Sequence, residues 1–205
     1  MKKLLSLFLA FLMLLTVTPA VAEEAPAMAG GWNTAVTQED FYAALSALDQ
    51  LLPDGSSGVG VYVLASQLVN GTNYAVLCCD NTSWRIVYIH IPLEGEASIV
   101  REQVLVAAPD EPLCGGMGPY FGDVEDDEVY QAIDSAFDTL IGCTVDLYMI
   151  IGCQVVAGTN YLILCLMTPL TEEPVSAWKL ATVYVDLDGN AALDAVEDLP
   201  LSLSE

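Results

Sequence analysis

Apolar residues in the first half of the chain recur at two different periods. Phe41, Leu45, Leu48 and Leu52 fall at helical spacing, opened by Thr37-Gln38-Glu39-Asp40 and stopped by Pro53. This predicts an amphipathic helix with Thr37 as its cap. Runs rich in Val, Ile and Tyr follow over residues 59–69, 72–79, 84–91 and 97–106, separated by turn residues, and predict four strands. The second half repeats the order. Val129, Ile133, Phe137 and Leu140 form a helical stripe, Gly142 suits a helix C-terminus, and strand runs follow over 144–156, 159–167, 178–186 and 191–197. Each half therefore predicts one helix followed by an antiparallel meander. A striped helix covers one face of such a sheet and leaves the other available to solvent.

The likeness of the halves extends to identities. Gln67-Leu68-Val69-Asn70-Gly71-Thr72-Asn73-Tyr74 returns 87 residues later as Gln154-Val155-Val156-Ala157-Gly158-Thr159-Asn160-Tyr161, with six of eight positions identical. Trp84 and Gly95 are matched by Trp178 and Gly189, 94 residues on, so the loop before Trp178 is seven residues longer. The chain is an internal duplication. Residues 30–106 and 115–205 are the two repeats, 107–114 the linker and 23–29 a flexible lead-in.

Composition narrows the setting. Lys2 and Lys3, the apolar run from Leu4 to Leu15 and Ala20-Val21-Ala22 form a signal peptide cleaved after Ala22, which implies an exported chain. The competing reading is an uncleaved membrane anchor. Cleavage would move the formal charge from −23 to −25 and leave Arg85, Arg101 and Lys179 as the only cations. Such a chain repels nucleic acid and anionic membranes. Yet 54% of the residues are hydrophobic, enough for a real core. The six cysteines (Cys78, Cys79, Cys114, Cys143, Cys153 and Cys165) suggest disulfides in an exported protein, with 15 pairings open. The single histidine, His90, and the lack of a Cys-x-x-Cys argue against a zinc site or a Cys/His nucleophile pair. The acid run at Asp123 and Glu125–Glu128 reads as a solvated helix start.

The repeated octet is a strand, a tight turn and a strand. Asn70-Gly71 signals a two-residue turn with positive φ, and Ala157-Gly158 a weaker version. Such turns present Leu68 and Val69, or Val155 and Val156, at a hairpin tip, where exposed aliphatic side chains suit insertion into a partner's groove. Gln-x-Val-x-Gly on the first hairpin after a long helix, with Gly-Gly before the helix, resembles the cystatin superfamily of papain-like cysteine protease inhibitors. The resemblance covers nearly the whole mature chain in two copies. It implies an α+β fold of two tandem cystatin-like domains, each one helix packed on a four-stranded (or five-stranded) antiparallel sheet, with no cofactor and no catalytic residues. It implies a papain-like cysteine protease as partner. The cleft would be entered by Gln67, Leu68, Val69, Asn70 and Gly71, and by Gln154, Val155, Val156, Ala157 and Gly158. Gly30-Gly31 or Gly115-Gly116 would lie along the non-primed subsites. The family's Pro-Trp pair on the second hairpin is missing; the corresponding turns read Leu93-Glu94-Gly95-Glu96 and Leu187-Asp188-Gly189-Asn190. Its loss removes an aromatic anchor, on the order of 2 kcal/mol. Repeat two, with the more apolar tip, is the stronger candidate.

Two other functions compete. One is a non-inhibitory secreted binding module on the same frame. The other is calcium binding by Asp186–Glu197, which places oxygen ligands at EF-hand positions 1, 3, 5, 9 and 12 but has Ala191 where the loop needs Gly. No nucleophile, base and orienter come together in the sequence, so it does not read as an enzyme.

Overall fold

The computed structural model describes residues 30–52, 59–109, 115–122 and 127–203. The signal-peptide and lead-in readings, Cys114, Pro53, most of the linker and Asp123–Asp126 lie outside them. The elements are β1 (Trp32–Asn33), α1 (Gln38–Leu51), β2 (Val59–Val69), β3 (Gly71–Cys79), β4 (Ser83–Ile91), β5 (Ser98–Ala107), β6 (Gly118–Pro119), α2 (Asp127–Phe137), β7 (Cys143–Val156), β8 (Gly158–Pro169), β9 (Ala177–Val185) and β10 (Ala191–Asp198). They build two antiparallel five-stranded sheets, ordered β1-β2-β3-β4-β5 and β10-β9-β8-β7-β6.

Local chemistry accounts for the helices. Asp40 N–H donates to Thr37 Oγ1 (3.1 Å) and the Thr37 hydroxyl donates to Asp40 Oδ2 (2.7 Å), a reciprocal cap that satisfies a free N-terminal donor of α1. Ala44 and Leu48 of α1 are buried against Val63, Tyr74, Val76, Val87 and Ile89 on one face of the first sheet. Ile133, Ala136 and Phe137 of α2 are buried against Ile150, Tyr161, Ile163 and Val183 on one face of the second. The Tyr74 hydroxyl holds α1 by a 2.6 Å bond to Asp40, and Tyr148 holds α2 by a 2.7 Å bond to Asp134.

The expected pair of tandem helix-on-sheet cystatin domains is corrected by the structure. The chain is mostly antiparallel sheet, 52% strand against 16% helix, and has two helices among the described residues. The faces left to solvent in the prediction are buried against each other. Leu64, Ala75, Leu77, Trp84, Ile86, Tyr88 and Val106 of the first sheet form one core with Ile151, Leu164 and Trp178 of the second. The layers therefore run helix, sheet, sheet, helix. The physical reason lies in β3 and β4, where successive side chains are buried on alternate faces: Val76 and Val87 under α1, Ala75, Leu77, Ile86 and Tyr88 between the sheets. A continuous apolar run marks a strand covered on both sides.

Both repeat-equivalent tryptophans lock this junction. Trp178 Nε1 donates to the Leu64 carbonyl (2.7 Å, buried) and Trp84 Nε1 to the Tyr120 carbonyl (2.9 Å). Each indole keeps its single donor satisfied while burying a large apolar surface. The β7–β8 hairpin is longer than its counterpart, 14 and 12 residues against 11 and 9 in β2–β3. Part of the seven-residue insertion before Trp178 is thus taken up as strand. Among the described residues no helix is long and apolar enough to cross a membrane.

The five described cysteines, Cys78, Cys79, Cys143, Cys153 and Cys165, are free thiols. The repeat equivalents Cys78 and Cys165 face the helix-side cores of different sheets, which keeps them apart. Burial pushes each of these two thiols up to about 12.

Candidate functional site

At one end of each sheet three segments lie side by side: a glycine segment leading into the first strand, the tip of the first hairpin, and the second hairpin. In repeat one Val69 pairs with Gly71, leaving Asn70 at the apex; in repeat two Val156 pairs with Gly158, leaving Ala157. The turn differs from the expected one. Gly71 (φ 105°) and Gly158 (φ 128°) have positive φ, and no described residue other than glycine does. Ala157 therefore carries none of the strain expected of it.

The motif glycine is required for a second reason. A Cβ at Gly71 would sit 2.3 Å from the Ile91 carbonyl oxygen and 2.7 Å from Pro92 Cα. One at Gly158 would sit 2.4 Å from the Val185 oxygen and 2.8 Å from the Tyr184 ring. Close backbone approach welds the first hairpin tip to the base of the second. In repeat two the Tyr184 hydroxyl also donates to the Ala157 carbonyl (2.5 Å), pinning the apex itself.

The motif glutamine acts as a clasp. Gln67 and Asn73 are direct cross-strand partners, as are Gln154 and Asn160. Asn73 Nδ2 donates to Gln67 Oε1 (2.7 Å), and Gln67 Nε2 donates to the Gly30 carbonyl (2.9 Å). Asn160 Nδ2 donates to Gln154 Oε1 (2.9 Å), and Gln154 Nε2 donates to the Gly115 carbonyl. Repeat one extends the chain through His90 Nδ1, 2.7 Å from Asn73 Oδ1. Since the amide oxygen only accepts, His90 Nδ1 carries the proton. The Gly30 N–H closes the strap on the Leu68 carbonyl (3.2 Å). The glutamines predicted to enter a protease cleft are thus turned toward their own glycine segments. Gly31 is half-buried beside Gly30, and Gly116 is exposed beside Gly115.

Gln, Gly, Asn and Tyr of the octet are accounted for by the scaffold. What remains are the tip side chains, and they are bare: Leu68 is 55% exposed, Val69 42%, Val155 70% and Val156 46%. None of the hydrophobic clusters of the described residues includes them. Two more bare aliphatic side chains, which the periodicity of the sequence does not single out, lie on the next hairpins. Leu93 and Leu187, on the second hairpins, are 79% and 85% exposed. Their signal in the sequence is a Leu-acid-Gly repeated in both halves. Each tip, the ridge, therefore presents two bare aliphatic side chains, one on either face of the hairpin, on a backbone fixed by hydrogen bonds.

The surroundings are acidic. Each cation among the described residues is held internally: Arg85 by Asp80 (3.2 Å) and Glu102 (3.6 Å), Lys179 by Asp198, and Arg101 by the Ser202 carbonyl and the Tyr88 ring. No basic patch exists among the described residues to bind a polyanion. In the segment considered for calcium, Asp186 accepts from Asp188 N–H (2.9 Å), Asn190 N–H (2.8 Å) and Asn190 Nδ2 (2.9 Å). These bonds close the second hairpin and hold its carboxyl below the usual carboxylate range, the Asn190 side chain contributing most. Ala191–Asp198 is strand β10, with a bulge between Leu193 and Ala195, and not a ligand loop. Among the described residues no group of three or more His, Cys, Asp or Glu side chains is placed to hold a metal.

No protein-family model matches the chain, and no curated protein sequence matches it either.

Proposed function

We propose that the protein is a reversible binder and inhibitor of papain-like cysteine proteases that inserts its apolar hairpin tips into the protease cleft. The observation that carries this reading is the exposure of Val155 and Val156 on a hairpin whose backbone is clasped by Gln154, Asn160 and Tyr184. An aliphatic ridge held rigidly in water gains its full burial on docking and loses little conformational entropy. The Gln-x-Val-x-Gly resemblance selects the class of cleft. Gly115 and Gly30, strapped beside the tips, supply backbone for an extended contact in the same cleft. Leu187 and Leu93 lie in the turns that correspond to the family's second hairpin, and give a smaller apolar contact than its tryptophan.

Two features favour this over calcium binding. The carboxylate of Asp186 is consumed by its own turn, and the downstream acids lie along a strand. A binding module without inhibition would use the same ridge, and a protease titration separates the two. Papain incubated with the purified chain loses activity reversibly under the proposal. Full activity at micromolar excess, with binding to some other apolar cleft, leaves the binding module in its place.

A further inference from the structure

The chain holds six asparagines, and the fold treats them unequally. Asn73 is held by Gln67 and His90, Asn160 by Gln154, and Asn190 by Asp186. Asn33 Oδ1 accepts from the Ala35 N–H (3.0 Å). The residues that follow these four are Tyr74, Tyr161, Ala191 and Thr34, each with a side chain beside the peptide nitrogen. Asn81 is exposed, but the branched Thr82 follows it. Asn70 alone is both exposed and followed by glycine. It is the single residue between the paired Val69 and Gly71, and none of the hydrogen bonds among the described residues engages its side chain.

An asparagine so placed reacts with its own backbone, and water is the only co-reactant. The Gly71 nitrogen attacks the Asn70 side-chain carbonyl carbon, forming a C–N bond and giving its proton to solvent. The bond from that carbon to the side-chain nitrogen breaks, the nitrogen takes up a proton, and ammonia leaves a five-membered succinimide. Water then adds to one of the two ring carbonyls and breaks its bond to the ring nitrogen, which regains a proton. The net change is amide plus water to acid plus ammonia, with no electrons gained or lost. A Cβ on the following residue crowds the attacking nitrogen, and Gly71 has none. An asparagine held by hydrogen bonds must first give them up, which opposes the reaction at Asn73, Asn160 and Asn190.

We infer that Asn70-Gly71 is a site of spontaneous deamidation, so that the tip of repeat one becomes aspartate or isoaspartate as the chain ages. Repeat two has Ala157 at the same apex and keeps its tip unchanged. The reaction needs no partner and is independent of the protease reading. Its two products act differently on the hairpin. Aspartate leaves the main-chain path as it is and adds a negative charge beside the bare Leu68 and Val69. Isoaspartate routes the main chain through the side-chain carbon, which lengthens the one-residue apex. That displaces Gly71 from its close approach to the Ile91 carbonyl and loosens the joint between the two hairpins of repeat one.

The test incubates the purified folded chain at neutral and at mildly alkaline pH and maps its peptides by mass spectrometry at intervals. The mass gain of an amide-to-acid exchange is expected first at Asn70, with isoaspartate exceeding aspartate. The gain is faster at the higher pH, because the attacking nitrogen must lose its proton. Asn73, Asn160 and Asn190 stay unmodified over the same period. Asn70→Gln loses the modification, since the longer side chain would have to close a six-membered ring. A parallel sample in urea removes the protection of the fold from every asparagine. Modification of Asn70 in urea but not in the folded chain overturns the inference, because the hairpin then shields the pair. Equal rates at Asn70 and Asn81 in the folded chain also overturn it, because the glycine then confers nothing.

Discussion

Repeat one and repeat two build the same ridge from different means, and the differences separate scaffold from contact. In both, a Gln–Asn pair clasps a glycine carbonyl and a positive-φ glycine lets two hairpins touch. Repeat one backs its clasp with His90, whereas repeat two pins its apex with the Tyr184 hydroxyl. The tips diverge as well, Leu68-Val69-Asn70 against Val155-Val156-Ala157. A duplicated chain that keeps the clasp and varies the tip places the structural demand on the first.

Breaking the hinge between the hairpins has the largest expected effect. Gly71→Ala and Gly158→Ala each force a Cβ against backbone in an unfavourable φ region, at a cost of about 2–4 kcal/mol in stability. Urea unfolding followed by tryptophan fluorescence measures it. Equal losses in both halves support a common scaffold; a neutral Gly158→Ala contradicts the role assigned to the close approach of Val185.

Next come the tips. Val156→Asp places a charge in an apolar cleft and weakens protease affinity by about 2–3 kcal/mol, on the order of a hundredfold. Val69→Asp is expected to have the smaller effect, because the apex beside it is the polar Asn70 rather than Ala157. Inhibition constants for the two variants sharpen the comparison, and the reverse ranking would reassign the stronger site to repeat one.

Loosening the clasp follows. Gln154→Ala frees the Gly115 segment without touching the ridge, so dissociation quickens about five- to tenfold while association holds, as surface plasmon resonance would show. Gln67→Ala does the same at the other end. Unchanged dissociation in both would mean that the glycine segments do not meet the partner.

Much of this site was legible in the chain, and some was not. The helix and strand positions followed from period and capping because α1, α2 and the long strands carry strong local patterns. The ridge was legible because the octet occurs twice. The packing of sheet on sheet was missed because β3 and β4 were read as one-sided, although Tyr74–Cys79 and Ile86–Ile89 are apolar without alternation. The clasp was missed for a different reason. Gln67 and Asn73 are six residues apart, and only the register of the hairpin makes them neighbours. Leu93 and Leu187 were not legible because each is a single apolar residue in a polar turn, which periodicity does not mark. The free thiols escaped the composition argument, which sees six cysteines but not that Cys78 and Cys165 face different cores.

The smallest expected effect contrasts the remote ends. Asp80 closes the β3–β4 turn by accepting from Thr82 and Ser83 and pairing with Arg85, and the bonds from Thr82 and Ser83 bring its carboxyl down to about 2. A depressed carboxylate contributes stability in full above its unfolded value near 4, and that contribution is lost as pH falls from about 4 through 2. Asp80→Asn should therefore lower the melting temperature at pH 6 and make the acid limb shallower between pH 4 and 2. An identical acid limb in the variant would show that the turn does not depend on the charge.

The central claim is that bare aliphatic tips on clasped hairpins enter a protease cleft. Its most direct test is residual papain activity against added chain, wild type beside the Val69→Asp, Val156→Asp double variant. The account predicts a reversible, saturable loss of activity with the wild type and none with the variant. Equal behaviour of the two, whether both inhibit or neither does, would contradict it.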